Sequence, residues 1–234
     1  MTKTDIENIV SKFKSQMYPQ DRYTSFDYCY NYFIATKDIT QDVEKSCLVL
    51  GFYLASWGMF RGSSFLLQKS VKQFEPTIKY IATLDKSIWQ IDVDNYDENN
   101  IQTIIKIYND IKKCLIDNNN ADLTLITKIL LGVFGFIPAF DNYFCNSFRE
   151  ISKDKCGFRR VNANSLSIIK AFYENNKVPI DKLSSETFTT DFKTNKKTNI
   201  NYPKAKIIDM YGFTSGLENK TTTANRKPLP ASKH

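Results

Sequence analysis

Chemistry that needs an imidazole has little to work with in this chain. The single histidine is His234, the last residue. Ser-His-Asp and Cys-His nucleophiles require a ring held by the fold, which a chain end seldom supplies. Histidine-based zinc sites fall for the same reason. The five cysteines (Cys29, Cys47, Cys114, Cys145 and Cys156) are scattered, and no pair has the CxxC spacing of a thiolate zinc site. They read as reduced, buried thiols of a cytoplasmic protein. Any catalysis must therefore rest on carboxylates, Lys, Tyr or a bound cofactor. No metal or cofactor is expected from the residues themselves.

Two segments carry unusual residues. The first is residues 56–69, SWGMFRGSSFLLQK, where two glycines flank Met59, Phe60 and Arg61 at the end of an apolar run. Glycine inside a helix costs roughly 1 kcal/mol against Ala, so either the helix turns at Gly62 or another backbone approaches closely. Arg61 then needs a carboxylate or a phosphate. Ser63, Ser64 and Gln68 open a new helix, whose start can hold an anion. The second segment is residues 127–144, TKILLGVFGFIPAFDNYF, in which an apolar helix meets a Gly135/Pro138 break before Asp141. Asp141 is either a helix-start carboxylate favoured by the helix dipole or a partly desolvated general base. It is also a candidate ion-pair partner for Arg61.

Charge is uneven. Residues 85–122 hold eight acids and four bases, a net of −4, whereas residues 149–206 hold thirteen bases and six acids, a net of +7. A basic region with interleaved Tyr and Phe suits a phosphate backbone. Arg159, Arg160, Lys196 and Lys197 are the expected phosphate contacts. The alternative is a solvated, Lys-rich surface.

The elements that position these residues read as helices. Hydrophobic residues recur at helical spacing in 6–17, 25–35, 77–84, 101–115, 139–151, 165–173 and 202–213. Thr40 or Asp42 caps a helix that enters the apolar run 47–60, and this helix is expected at the centre of the domain. A helical run is expected from Phe65 toward Phe74. Asp97 or Asn99 caps the helix bearing Ile101, Ile104, Ile105, Tyr108, Ile111 and Leu115, which ends at Asn118–Asn120. Asp122 or Thr124 starts the apolar helix before Pro138. Residues 177–201 are polar and expected to be mobile. The whole is an all-α, compact multi-helix single domain over residues 1–216, with a disordered basic tail over 217–234. The chain has 234 residues, 42% hydrophobic and 14% aromatic. No apolar run reaches the roughly 20 residues of a membrane span, and the polar N-terminus shows no secretory leader. A cytoplasmic protein without membrane contact is expected.

The order helix, x-Pro-x-x-Asp turn, aromatic helix resembles the catalytic end of the helix-hairpin-helix DNA glycosylase superfamily. Asp141 falls at the position of the family's Asp, which supports departure of a flipped base. Ser64-Phe-Leu-Leu-Gln-Lys is similar to the family's Leu-Leu-x-Gln segment, with Gln68 at the wedge position. The family's Leu-Pro-Gly-x-Gly hairpin signature is absent; Asn119-Asn-Ala-Asp-Leu-Thr-Leu stands in its place. No iron–sulfur cysteine cluster follows. The resemblance implies a DNA-binding, glycosylase-like enzyme with Asp141 as catalytic carboxylate, Gln68 and Arg61 on DNA, and a base pocket of Trp57, Phe60, Tyr143 and Phe144. The contrasting expectation is a non-enzymatic interaction or accessory subunit of a bacterial defence or nucleic-acid-processing complex, given the aromatic content. A small anionic ligand at Arg61 and the Ser63–Ser64 helix start is a third.

Overall fold

The structure, a computed structural model, describes residues 3–116 and 121–224. The chain runs through α1 (Lys3–Lys14), α2 (Ser25–Ala35), α3 (Val43–Ser56), α4 (Glu75–Ala82), α5 (Glu98–Leu115), α6 (Leu123–Phe134), α7 (Asn142–Ile151), α8 (Ala163–Asn175) and α9 (Lys177–Glu186). Strands β1 (Phe188–Thr190) and β2 (Lys197–Asn201) then pair antiparallel, Phe188 opposite Asn201 and Thr190 opposite Lys197. The last element is α10 (Lys204–Ala224). The all-α expectation is met, with one small sheet added. Among the described residues no helix is long and apolar enough to cross a membrane.

The helices begin where short polar side chains can accept from their free N–H groups. Asp42 accepts from Lys45 N at 2.9 Å and Asp97 from Asn100 N at 2.7 Å. Asn162 and Ser165 cap α8 reciprocally. The start of α10 is capped from a distance: Asp92 accepts from Lys204 N at 2.6 Å and Ala205 N at 2.9 Å.

The centre of the fold is α6 and the loop after it. Every residue from Leu125 to Phe134 is buried, as is the whole loop 135–140. A buried loop must still pair its backbone groups. Ala139 N donates to Asp209 Oδ1 (3.0 Å) and Phe140 N to Thr127 Oγ1 (2.8 Å). The Phe136 carbonyl accepts from the Tyr96 hydroxyl and that of Phe140 from Thr124 (3.0 Å). α10 lies against α7 and α1, α2 and α3 against α6, and α5 against α4 and α6.

Four expectations are corrected. α3 is not the central helix, because Leu48 and Phe52 on it are 49% and 71% exposed. The run from Phe65 to Phe74 is two separate 3-10 turns, Phe65–Gln68 and Val71–Phe74, started by Ser64 and Ser70. Residues 177–201 are ordered. α9 buries Pro179, Ile180 and Leu183, and the hairpin after it is held by hydrogen bonds: Thr190 N donates to Asp27 Oδ2 (2.7 Å), Asn31 Nδ2 to Thr190 O (3.0 Å), and Thr189 meets both Asn31 and Thr198. Finally, α10 continues past residue 216 to Ala224, and Glu218 pairs with Lys12 of α1 at 2.6 Å. Residues 225–234, with most of the expected tail, lie outside the described residues. So does the expected helix end at Asn118–Asn120.

Two buried carboxylates carry a pH signature. Burial pushes the Asp27 carboxyl up to about 6, against hydrogen bonds from Tyr202 and Thr190 that favour its charge. Burial pushes Asp92 up to about 6 against three backbone N–H donors. Each native value lies above the unfolded reference near 3.9. The native state therefore binds more protons between about pH 4 and 6, and these two groups weaken the fold as pH rises through that window. Asp27→Asn is expected to flatten this slope in chemical-denaturation curves taken from pH 4 to 7. An unchanged slope would show that Asp27 titrates alike in the folded and unfolded chain.

Candidate functional site

Four charged side chains converge where α3, α6, α7 and α10 meet. Lys128 of α6 pairs with Asp141 at 3.3 Å, their side chains 5% and 15% exposed. Lys206 pairs with Asp209, one turn on in α10, at 2.8 Å, with 1% and 8% exposed. The second oxygens of both carboxylates serve the scaffold. Asp141 Oδ1 accepts from Tyr143 N and Phe144 N, each at 3.0 Å, as the N-cap of α7. Asp209 Oδ1 holds the Ala139 N–H of the buried loop.

Aromatic rings complete the enclosure. The Lys128 ammonium lies 4.8 Å from the Trp57 ring. That of Lys206 lies 4.9–5.3 Å from Phe26, Phe13 and Trp57. Arg22, exposed, approaches Trp57 from the solvent side at 5.7 Å. A desolvated ammonium over a ring is attracted by its quadrupole, which offsets part of the burial cost of the lysines. Tyr53 forms another wall. A Cβ on Gly132 would sit 2.3 Å from its ring, so only glycine lets α6 pass this close. Burial, and then the charges of Cys29, Asp209 and Asp141, push the Tyr53 phenol well above its ordinary value, which keeps it a neutral hydroxyl. These groups pack so closely that no space among them is wide enough for a water molecule.

The expected site residues distribute unevenly about this chamber. Trp57 and Asp141 line it. Tyr143 stands beside it, edge-on to Phe213 at 5.3 Å. Phe60 packs elsewhere, against Phe74 at 6.2 Å. Phe144 is fully buried in a stack with Phe140 and Phe148 at 5.5 and 4.3 Å, so it cannot line an open base pocket. Arg61 and Gln68 are exposed on the segment after α3. The expected Arg61–Asp141 pair does not form; Lys128 takes that place, being already inside the core on the adjacent helix. Nor does Ser63–Ser64 open an α-helix able to hold an anion: the element there is a four-residue 3-10 turn. Arg159 and Arg160 are exposed between α7 and α8, and Lys196 and Lys197 at the β hairpin.

Sequence reasoning does not single out Lys128, Lys206 or Asp209 as site residues. Their signal is nevertheless present as charges inside apolar runs, Lys128 within LITKILLGVF and Lys206 and Asp209 around Ile207, Ile208 and Met210. As arranged, the chamber can neutralise charge and donate hydrogen bonds. It does not present an open carboxylate to a substrate. The chain matches no protein-family model, no curated protein and no solved structure.

Asp141→Asn separates capping from pairing. Asn caps as well as Asp, but it strands the Lys128 ammonium. A loss of about 3 kcal/mol is expected, the low end for a buried pair because Asp141 keeps some exposure to solvent. Lys128→Met combined with Asp141→Asn should recover much of it. Urea denaturation of the two singles and the double measures the coupling; additive losses would mean that the pair contributes nothing as a pair.

Proposed function

We propose that the protein binds nucleic acid, DNA in the first instance, through the face that carries the β1–β2 loop. One observation carries this reading: Phe192 stands 72% exposed at the tip of an ordered loop, among lysines. Its ring meets Tyr28 edge-on at 5.0 Å. The loop is held by Asp191 N on Lys196 O (2.8 Å) and by Asp191 Oδ1, which accepts from Thr194 N (2.8 Å). Lys193, Lys196 and Lys197 are exposed on the same loop and the strand that leaves it. Lys14 lies close enough for Lys197 to depress its ammonium pKa, after burial, which is the larger cause. Lysines supply salt-dependent attraction to phosphates, and an exposed ring offers a base a stacking platform. Arg159 and Arg160 are exposed on a different segment, between α7 and α8. The base-excision chemistry that the glycosylase resemblance implies would require Asp141 to leave Lys128; binding alone does not.

A second reading, a protein-interaction subunit, is favoured by Leu48 and Phe52. One turn apart on α3, they form an exposed apolar pair. Exchanging both for Glu is expected to abolish capture of a protein partner and leave nucleic-acid affinity unchanged.

Fluorescence anisotropy with a labelled oligothymidine tests the first reading. Phe192→Ala is expected to weaken binding by about 1–3 kcal/mol. Replacing Lys193, Lys196 and Lys197 with Gln should lower the slope of log affinity against log salt by about one for each phosphate that these lysines neutralise. Affinity indifferent to salt and to all four residues would overturn the assignment.

A further inference from the structure

The chamber under Trp57 has more donors than acceptors. Each lysine ammonium has three N–H groups. Lys128 Nζ hydrogen-bonds only Asp141, and Lys206 Nζ only Asp209, among the described residues. Four N–H groups are left facing rings and the enclosed space. Trp57 Nε1 is buried and has no hydrogen-bond partner there. A buried donor without an acceptor is rare in folded proteins and calls for an explanation. The carboxylate oxygens cannot supply it cheaply, since Asp141 Oδ1 already caps α7 and Asp209 Oδ1 holds the Ala139 N–H. Among the described residues no acceptor reaches the Trp57 N–H.

Charge points the same way. Lys128, Lys206 and Arg22 reach the Trp57 ring, against Asp141 and Asp209 in the ion pairs, a balance of +1. One monoanion would neutralise the group. We propose that this chamber is a binding site for a small oxyanion, a phosphate or a carboxylate, admitted when Trp57 swings outward. Trp57 ends α3 and precedes Gly58, whose φ is +75°; Gly62, at +63°, closes the same segment. Both are left-handed conformations that glycine takes without strain. The indole is only half-buried, and Arg22 is the cation on its solvent side. Outward rotation of the ring uncovers both ammonium groups and opens the room an oxyanion needs; with the anion in place the indole rests displaced from its closed position, its N–H turned onto the anion, where each N–H to oxyanion bond is charge-assisted. The site is independent of the β-hairpin face and does not require the protein to bind nucleic acid.

The test uses the full chain with Trp89→Phe, which leaves Trp57 as the only indole. Inorganic phosphate and acetate are titrated separately, with chloride at equal ionic strength as control, and Trp57 emission is read. A saturable change with phosphate or acetate but not chloride is expected, and the anion that saturates at lower concentration identifies the class. Two paired variants, Lys128→Met with Asp141→Asn and Lys206→Met with Asp209→Asn, remove charge without stranding a partner. Each is expected to weaken binding about tenfold, the loss of one charge-assisted hydrogen bond. Trp57→Phe keeps an aromatic ring and deletes the N–H; calorimetry with the same anion should show a similar loss, so the proposal stays testable if a paired variant does not fold. No saturable response to either anion, or affinities unchanged in Trp57→Phe and in whichever paired variants fold, would overturn it.

Discussion

The burial of Asp209 and Lys206 within α10 is the constraint on which the rest of the fold depends. A charge pair at 2.8 Å with side chains 1% and 8% exposed is tolerated only when its surroundings complete the hydrogen bonding. Asp209 does this by taking the Ala139 N–H, which fixes the buried loop 135–140 against α10. That loop leads directly into the Asp141 cap of α7. The same local chemistry therefore sets the entry of α7, its packing along α10, and the place where Lys128 must look for a counter-ion.

Aromatic residues reconcile this charge with the core. Phe13, Phe26 and Trp57 face the lysines, with Phe213 edge-on to Trp57, and the three facing rings supply attraction that aliphatic side chains would not. The 14% aromatic content thus serves the interior, and only isolated rings such as Phe52 and Phe192 remain substantially exposed. The polar hairpin is the opposite solution to the same requirement. There, Thr, Asn and Asp side chains order a segment that has almost no aliphatic residues to bury.

What the sequence determined by itself was local. Helical spacing located α2, α5 and α7, and Asp42, Asp97 and Asp141 were legible as helix starts, because capping and amphipathic periodicity act within a few residues. The basic character of the hairpin region was legible too, since charge is a sum over residue types. Tertiary structure decided which charges meet. Residue types alone left Asp141 to Arg61 or to solvent, and only the packing of α6 against the loop delivered Lys128 to it. The order of residues 177–201 was equally hidden, since their partners Asp27 and Asn31 lie some 160 residues away. The reason is physical: a buried ion pair or a side-chain-anchored strand gains its stability from groups brought together by the whole core, and nothing in the neighbouring sequence records which groups those will be.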